Sequence, residues 1–282
     1  MCAGTDCEDD DLDARRRSFL VGGMAALAGV ALGSAAGAQA PAESPPTRVL
    51  DDPGIQRGIV TFRSGDEEID GYLARPKAAG RRPAVLVIAG NRIAEEYIQN
   101  TCAALAVAGY VGLAPNVYHT VPDTAKTVAE MNKALEGRPE EDFGRDIRAG
   151  ALYLQGHEAV EPGSLAILGF CVGGRRALLY ADRYQDAKAV LPFYPGKTEG
   201  REVTHVKVPV QIHSGTADRS VPLSDIRELE RALKTQGTPV KVYLYEGVDH
   251  GFLAYTRPTY KADAAVLAWK RAVKFLGRHL GR

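Results

Sequence analysis

The sequence has little cysteine, a single tryptophan and no net charge. Four cysteines among 282 residues are too few for a disulfide scaffold at this length. Thirty-five basic residues balance 35 acidic ones, which predicts neither a nucleic-acid surface nor a basic membrane-binding patch. The six histidines show no spacing typical of metal ligands, so no metal site is predicted. What remains is an ordinary globular composition, 45% hydrophobic and 25% charged, with enough length for a full core.

An export signal is predicted at the N-terminus. Residues 15–40 have a basic start, a weakly hydrophobic Gly/Ala-rich middle and a small-residue end. The pair Arg16-Arg17 resembles the twin-arginine signal of bacteria, and Ala38-Gln39-Ala40 fits a cleavage site. The alternative is an uncleaved membrane anchor, which the scarcity of large apolar residues disfavours. We therefore expect a periplasmic protein, with the export machinery as a partner and no stable membrane association after cleavage.

The rest of the chain is predicted to form one domain. Residues 41–57 are rich in proline and polar, which indicates a linker or an N-terminal arm. From residue 58 to 282, buried strand-like runs alternate with segments of helical period, after an opening hairpin over residues 58–76. This alternation predicts an α/β fold with a mostly parallel central sheet and helices on both faces. Reactive groups are expected on loops at the carboxyl ends of the strands, and residues 119–141 are interpreted as a polar insertion.

A cysteine lies where a strand is expected to turn into a helix. The run Gly169-Phe170-Cys171-Val172-Gly173 has the G-x-C-x-G pattern of a nucleophile elbow, with sulfur in place of a serine oxygen. The glycines would allow strand and helix to approach closely, and the helix N-terminus would favour a thiolate. A small buried cysteine is the alternative interpretation. In an oxidising compartment, a disulfide between Cys102 and Cys171 would silence the site.

A cysteine nucleophile needs a base and a group that orients the base. Asp218 follows one predicted strand in "HSGTAD", and His250 follows the next in "DHGF", which is the chain order expected for this architecture. His213 is the competing histidine, but it lies within a strand pattern and is interpreted as a core residue. Asp249 competes with Asp218, but its adjacency to His250 disfavours it. The predicted catalytic residues are therefore Cys171, His250 and Asp218.

Acyl transfer also needs donors for an oxyanion. The backbone N–H of Val172, directly after the nucleophile, is one expected donor. The other is expected from the loop after the strand "PAVLVIAG", most simply the backbone N–H of Asn91.

These motifs resemble the dienelactone hydrolase family of α/β-hydrolases. The resemblance extends from about residue 58 to the C-terminus and rests on "GFCVGG", "HSGTAD", "DHGF" and "AGYVGLAPNVY". It implies the α/β-hydrolase fold, a Cys-His-Asp triad, and hydrolysis of enol-lactones or small esters through an acyl-enzyme without a cofactor.

The sequence departs from the family at the position of a glutamate that holds the resting thiol and at the positions of two arginines that grip a substrate carboxylate. Gly90 stands where founding members of the family carry a glutamate, and Ala254 stands where they carry an arginine. The second arginine of the family is also missing, just after Tyr118. We name Arg92, Tyr118 and Arg257 as candidate substrate-binding residues, although both arginines could simply hold surface loops in place.

The sequence therefore predicts a hydrolase of small ester or lactone substrates, and activity of the carboxymethylenebutenolidase type is one possibility within that class. Two alternatives stay open. One is a non-catalytic binding module that keeps the fold, which the loss of the glutamate at Gly90 would favour. The other is a peptidase or acyltransferase on the same scaffold.

Overall fold

A computed structural model describes residues 48–90 and 95–281 of the chain. The predicted signal sequence, residues 41–47 of the predicted linker, Asn91 and Arg92 lie outside the described residues. The strands are β1 (Ile55–Ser64), β2 (Glu67–Pro76), β3 (Arg82–Ile88), β4 (Val111–Pro115), β5 (Val160–Phe170), β6 (Ala189–Phe193), β7 (Val210–Gly215) and β8 (Val240–Tyr245). The helices are α1 (Glu96–Val107), α2 (Val128–Ala134), α3 (Glu140–Gly156), α4 (Val172–Tyr184), α5 (Leu223–Thr235) and α6 (Ala262–Leu280).

The eight strands form one sheet in the order β1-β2-β4-β3-β5-β6-β7-β8. Strand β2 pairs antiparallel with both β1 and β4, and every other neighbouring pair is parallel. The predicted fold class, a mostly parallel sheet covered on both faces, is confirmed. The carboxyl ends of β5, β7 and β8 consequently lie at the same edge of the sheet, where the motif-bearing loops begin.

Two hydrophobic cores lie on opposite faces of the sheet. Alternate residues of β5 show the division: Leu168 and Phe170 join the core that contains α1 and α6, whereas Leu165 and Ile167 join the core that contains α3, α4 and α5. We call the corresponding sides of the sheet the α1/α6 face and the α3–α5 face. Period-two alternation along each central strand fills both cores at once, which explains why these strands read as continuous apolar runs.

The structure differs from the sequence prediction at two places. Strand β1 begins at Ile55 rather than at residue 58, and both Leu50 and Ile55 are buried in the core, so the end of the predicted linker is packed. The polar segment 119–141 contains helix α2, which was not predicted. Thr127 caps this helix, and Glu130 returns the interaction to the backbone of Thr127.

Within residues 48–90 and 95–281, no helix is long and apolar enough to cross a membrane.

Candidate active site

Cys171 forms a sharp turn between the last residue of β5 and the first residue of α4. Its φ of +56° and ψ of −126° are strained for a residue with a side chain. The flanking glycines are required by close backbone approach: a Cβ on Gly169 would lie 2.2 Å from the carbonyl oxygen of Gly173, and a Cβ on Gly173 would lie 2.2 Å from that of Ile88. The local conformation is therefore that of a nucleophile elbow.

Asp218 and His250 meet as the motif order predicts. The distance between His250 Nδ1 and Asp218 Oδ2 is 2.8 Å, and the Asp218 carboxylate is fully buried. Its other oxygen accepts backbone N–H groups from Ser220 and Val221, both at 2.8 Å. The carboxylate is thus fixed on one side by the backbone and presents its second oxygen to the imidazole.

Asp249 and His213, the alternatives to Asp218 and His250 as catalytic residues, make contacts that hold the structure together. Asp249 accepts the backbone N–H groups of Arg219 at 3.1 Å and His250 at 2.7 Å, and so joins the two loops. His213 is fully buried, with its ring nitrogens 2.7 Å from the Tyr245 hydroxyl and 3.0 Å from Gln211 Oε1. Neither competing side chain completes the Cys171 and His250 pair.

Cys171 and His250 shift each other's proton affinity. Burial raises the pKa of the Cys171 thiol. Hydrogen bonding and charge from His250, the Val172 N–H and the charge of Arg257 lower this pKa, and together they outweigh burial, so the net shift is downward. Burial lowers the pKa of His250, but hydrogen bonds with Asp218 and Cys171 raise it to about 9. Both shifts favour a proton on the imidazole and a negative charge on the sulfur.

The backbone N–H of Val172, the first residue of α4, lowers the pKa of the Cys171 thiol, as expected of a donor beside the nucleophile. Asn91, the second expected donor, lies outside the described residues. The preceding residue, Gly90, is described: a Cβ there would lie 2.8 Å from the Phe170 carbonyl oxygen and 3.0 Å from Cys171 Cβ. The backbone therefore leaves no room beside the nucleophile for the side chain that the family carries at this position.

The candidate substrate-binding residues have different environments. Tyr118 is buried, and its hydroxyl lies 3.1 Å from both the Gly90 carbonyl oxygen and Arg176 Nη1. That hydroxyl thus receives a hydrogen bond from the guanidinium and donates one to the loop beside the nucleophile. Arg257 pairs with Glu95 at 3.2 Å, as expected for a residue that holds a loop, yet its charge also lowers the pKa of Cys171. Arg92 lies outside the described residues.

One residue at the site was not predicted. The ring of Tyr194 packs on the His250 imidazole, with ring centroids 4.8 Å apart. It follows β6 directly, and nothing in its sequence context distinguishes it from an ordinary core tyrosine.

Both cysteines of the described residues are free thiols. Cys102 is buried in α1, where burial raises its pKa, and Cys171 is also free. The disulfide that would silence the site is thus not formed in this structure.

The strand order, the elbow after β5 and the acid and histidine loops after β7 and β8 define an α/β-hydrolase. The chain belongs to the dienelactone hydrolase family, whose model matches residues 69–280.

Named relatives share most of their length with this chain. A Yersinia pestis protein named "Putative carboxymethylenebutenolidase" is 30% identical over 246 residues, which cover 82% of this chain and 91% of the relative. A Bradyrhizobium protein named "Probable 2-oxo-3-(5-oxofuran-2-ylidene)propanoate lactonase" is 30% identical over 221 residues, 74% of this chain and 89% of the relative. The crystal structure named "Putative Dienelactone Hydrolase", from Klebsiella pneumoniae, is 26% identical with a TM-score of 0.72 and covers 79% of this chain and 99% of its own.

Proposed function

We propose that this chain hydrolyses small esters or lactones through a cysteine acyl-enzyme. The observation that carries the proposal is the arrangement of Cys171 at the elbow, His250 near enough to lower the pKa of its thiol, and Asp218 Oδ2 2.8 Å from His250 Nδ1. The family and the relatives, which are named as lactone hydrolases, support the reaction class. The proposed substrate is a small molecule, and no step of the reaction needs a cofactor.

In the proposed reaction, the Cys171 thiolate attacks the substrate carbonyl carbon while His250 holds the proton. The carbonyl oxygen becomes an oxyanion that the Val172 N–H, and by expectation the Asn91 N–H, would stabilise. When the C–O bond to the leaving group breaks, His250 gives its proton to the departing oxygen. A water molecule then attacks the thioester, His250 takes its proton, and the acid leaves as Cys171 is regenerated. Asp218 fixes the imidazole orientation throughout.

A panel of small esters and lactones tests the proposal on wild type, Cys171→Ala and His250→Ala. Each substitution should lower kcat/KM by about 10⁴-fold or more while the protein stays folded. Cys102→Ala is the matched control, since it removes a buried thiol from the α1/α6 face, and it should retain activity. If Cys171→Ala keeps more than a few per cent of the activity, the nucleophile assignment is wrong.

A non-catalytic binding module is a second candidate, because Gly90 lacks the carboxylate of the family's founding members. A fast, stoichiometric reaction of Cys171 with a thiol reagent, without turnover of any ester or lactone, would favour it. Turnover of peptides, or acyl transfer to an added amine or alcohol in preference to water, would instead favour a peptidase or an acyltransferase.

We also propose that the protein is exported by the twin-arginine route and works in the periplasm. Arg16-Arg17 and Ala38-Gln39-Ala40 support this proposal.

A further inference from the structure

Two loops of the candidate active site lie close together as they leave the sheet. They are the acid loop after β7 (residues 216–222) and the histidine loop after β8 (residues 246–261). The Ala217 N–H donates to the Val248 carbonyl oxygen at 3.0 Å. A Cβ on Gly215 would lie only 1.9 Å from that same oxygen, so no side chain fits between the loops at this point. Backbone contacts therefore fix the two loops relative to each other as far as Val248.

Beyond Val248, the carboxylate of Asp249 continues the connection. Its Oδ1 accepts the backbone N–H of Arg219, from the acid loop, at 3.1 Å and the backbone N–H of His250 at 2.7 Å. Arg219 directly follows Asp218 in the chain. One oxygen thus binds the main chain beside Asp218 and the main chain of His250. The two N–H groups hold the pKa of Asp249 below its usual range, so its carboxylate remains an acceptor at neutral pH.

These contacts close a ring that includes the hydrogen bond between His250 and Asp218. The ring runs from Asp218 to Arg219 along the chain, through Asp249 Oδ1 to the His250 N–H, and back across the imidazole, whose Nδ1 lies 2.8 Å from Asp218 Oδ2. Asp218 is fixed independently, because its other oxygen accepts two backbone N–H groups of its own loop. Tyr194 packs on the imidazole ring, but a ring contact does not set the distance between His250 and Asp218. The Asp249 contacts restrict that distance.

The second oxygen of Asp249 makes an ion pair with the Arg219 guanidinium. Asp249 Oδ2 lies 2.8 Å from Arg219 Nε and 2.6 Å from Nη2. The Arg219 side chain is 84% exposed, and ion pairs in water contribute little, whereas the Asp249 side chain is 21% exposed. Hydrogen bonds from backbone N–H groups to a carboxylate are charge-assisted and do not require a long side chain to be ordered. The contacts of Oδ1 should therefore matter more than the ion pair.

We propose that Asp249 is a positioning residue, whose Oδ1 holds His250 in hydrogen-bonding position to Asp218. Asp249 acts through His250 and not on the substrate. The proposal rests on the proposed hydrolase function only in assigning the His250 and Asp218 pair to hydrolysis of an ester or lactone. Asp249 thus has a role beside that of Asp218, to which the sequence made it an alternative.

The test measures the pKa of His250 by NMR on the full chain, with the signal assigned from its loss in His250→Ala. In Asp249→Ala this pKa, about 9 in wild type, should fall by about one unit, because the hydrogen bond to Asp218 favours the protonated ring. On an ester that wild type hydrolyses, kcat should fall about tenfold with KM little changed, since the base is misplaced.

Two variants separate the acceptor from the charge. Asp249→Asn keeps an oxygen acceptor in the place of Oδ1, and Arg219→Ala removes the ion pair but keeps the backbone N–H. Both should leave the pKa of His250 within about 0.3 unit of wild type, because each removes only an interaction that water screens.

The proposal is overturned if Asp249→Ala leaves the pKa of His250 unchanged, even with a lower urea midpoint, since the contact would then be merely structural. It is also overturned if Asp249→Asn or Arg219→Ala lowers this pKa as far as Asp249→Ala does. Asp249→Leu has a similar shape without an acceptor and keeps the test decisive if Asp249→Ala does not fold.

An ester assay on the wild type separates the two proposals. A pKa of His250 that depends on Asp249, without turnover of any ester or lactone, would remove the hydrolase and keep the positioning role. Turnover by the wild type, with kcat and the pKa of His250 unaltered in Asp249→Ala, would do the reverse.

Discussion

At the scale of single residues, the thiol of Cys171 is subject to opposing effects. Partial burial disfavours a thiolate, and His250, the Val172 N–H and Arg257 favour it more strongly, so its pKa is lowered. The raised pKa of His250, about 9, keeps the imidazole protonated at neutral pH. We expect a resting thiolate–imidazolium pair. Alkylation of Cys171 by iodoacetamide should therefore reach half its maximal rate at a pH below the ordinary cysteine pKa of about 8.5, since the thiolate is the nucleophile.

The contribution of His250 to the lowered pKa of Cys171 is measured by comparing wild type with His250→Ala. Without the imidazolium, the thiol remains partly buried but loses the hydrogen bond and the charge of His250, which are the two largest effects that lower its pKa. The midpoint of the alkylation rate against pH should therefore move upward. The buried Cys102 serves as an internal reference and should remain unmodified in the native protein. A wild-type midpoint near 8.5, unchanged in His250→Ala, would rule out the ion pair.

Neighbouring backbone atoms leave no space for a side chain at position 90. A Cβ at this position would lie 2.8 Å from the backbone oxygen of Phe170, which cannot move without displacing β5. We expect Gly90→Ala to lower the free energy of unfolding by about 1–3 kcal/mol through overpacking, and Gly90→Glu to do at least as much. Urea denaturation measures the change. Gly58→Ala is the matched control, because a Cβ there meets nothing within 4 Å, and equal midpoints for Gly58→Ala and Gly90→Ala would contradict the prediction.

At the scale of secondary structure, the elements with periodic burial could be predicted from sequence. The central strands read as apolar runs because both of their faces are buried, and α5 shows a regular apolar stripe through Ile226, Leu229 and Leu233. Helix α2 could not be predicted from periodicity, because none of its residues is buried. The signal that was available was the spacing of Thr127 and Glu130, which form a capping box.

The capping box makes α2 sensitive to a single substitution. Thr127→Ala removes the acceptor for the Glu130 N–H and should destabilise the helix locally by about 1 kcal/mol. Faster amide hydrogen exchange over residues 128–131 would show the loss, and Thr127→Ser should restore protection. Since α2 buries no residue, the global unfolding midpoint should change little. A global loss of stability as large as the local one would show that α2 is part of the cooperative core.

The meeting of the proposed catalytic residues was predictable for a different reason. Cys171, Asp218 and His250 each follow a strand of the same parallel sheet, so motif order alone predicts that they meet. Tyr194 was not predictable, because a positive φ breaks the alternation that sequence reasoning assumes. The pairing of Arg257 with Glu95 joins residues 162 positions apart and depends on where two surface loops meet, which no local pattern encodes.

At the scale of the whole molecule, His213 makes stability depend on pH. Burial and, to a smaller degree, the charge of Arg271 lower its pKa to about 3 in the native state, whereas the unfolded chain binds the proton near pH 6.5. Between these values the unfolded state binds more protons, so stability falls as the pH falls. At pH 5 the loss from this one residue should be about 2 kcal/mol relative to neutral pH.

Urea denaturation of wild type and His213→Gln between pH 4 and 8 measures this contribution. The variant loses the ring that stacks on Phe193 and should be less stable at neutral pH, but the difference between the two proteins should shrink as the pH falls below 6.5. Parallel curves over the whole range would show that the native state accepts the proton at His213 without penalty.

We expect the first 40 residues to determine the final location of the molecule. The twin-arginine route carries folded proteins and requires the arginine pair, so Arg16→Lys with Arg17→Lys should leave full-length protein in the cytoplasm of a bacterial host. Arg15→Lys is the matched control, because it makes the same arginine-to-lysine replacement at a neighbouring residue outside the pair. Cell fractionation gives the location, and N-terminal sequencing of the exported protein should begin at Pro41, after Ala38-Gln39-Ala40. Normal export of the double variant would exclude the twin-arginine route, and a periplasmic protein that keeps residues 1–40 would favour the uncleaved anchor.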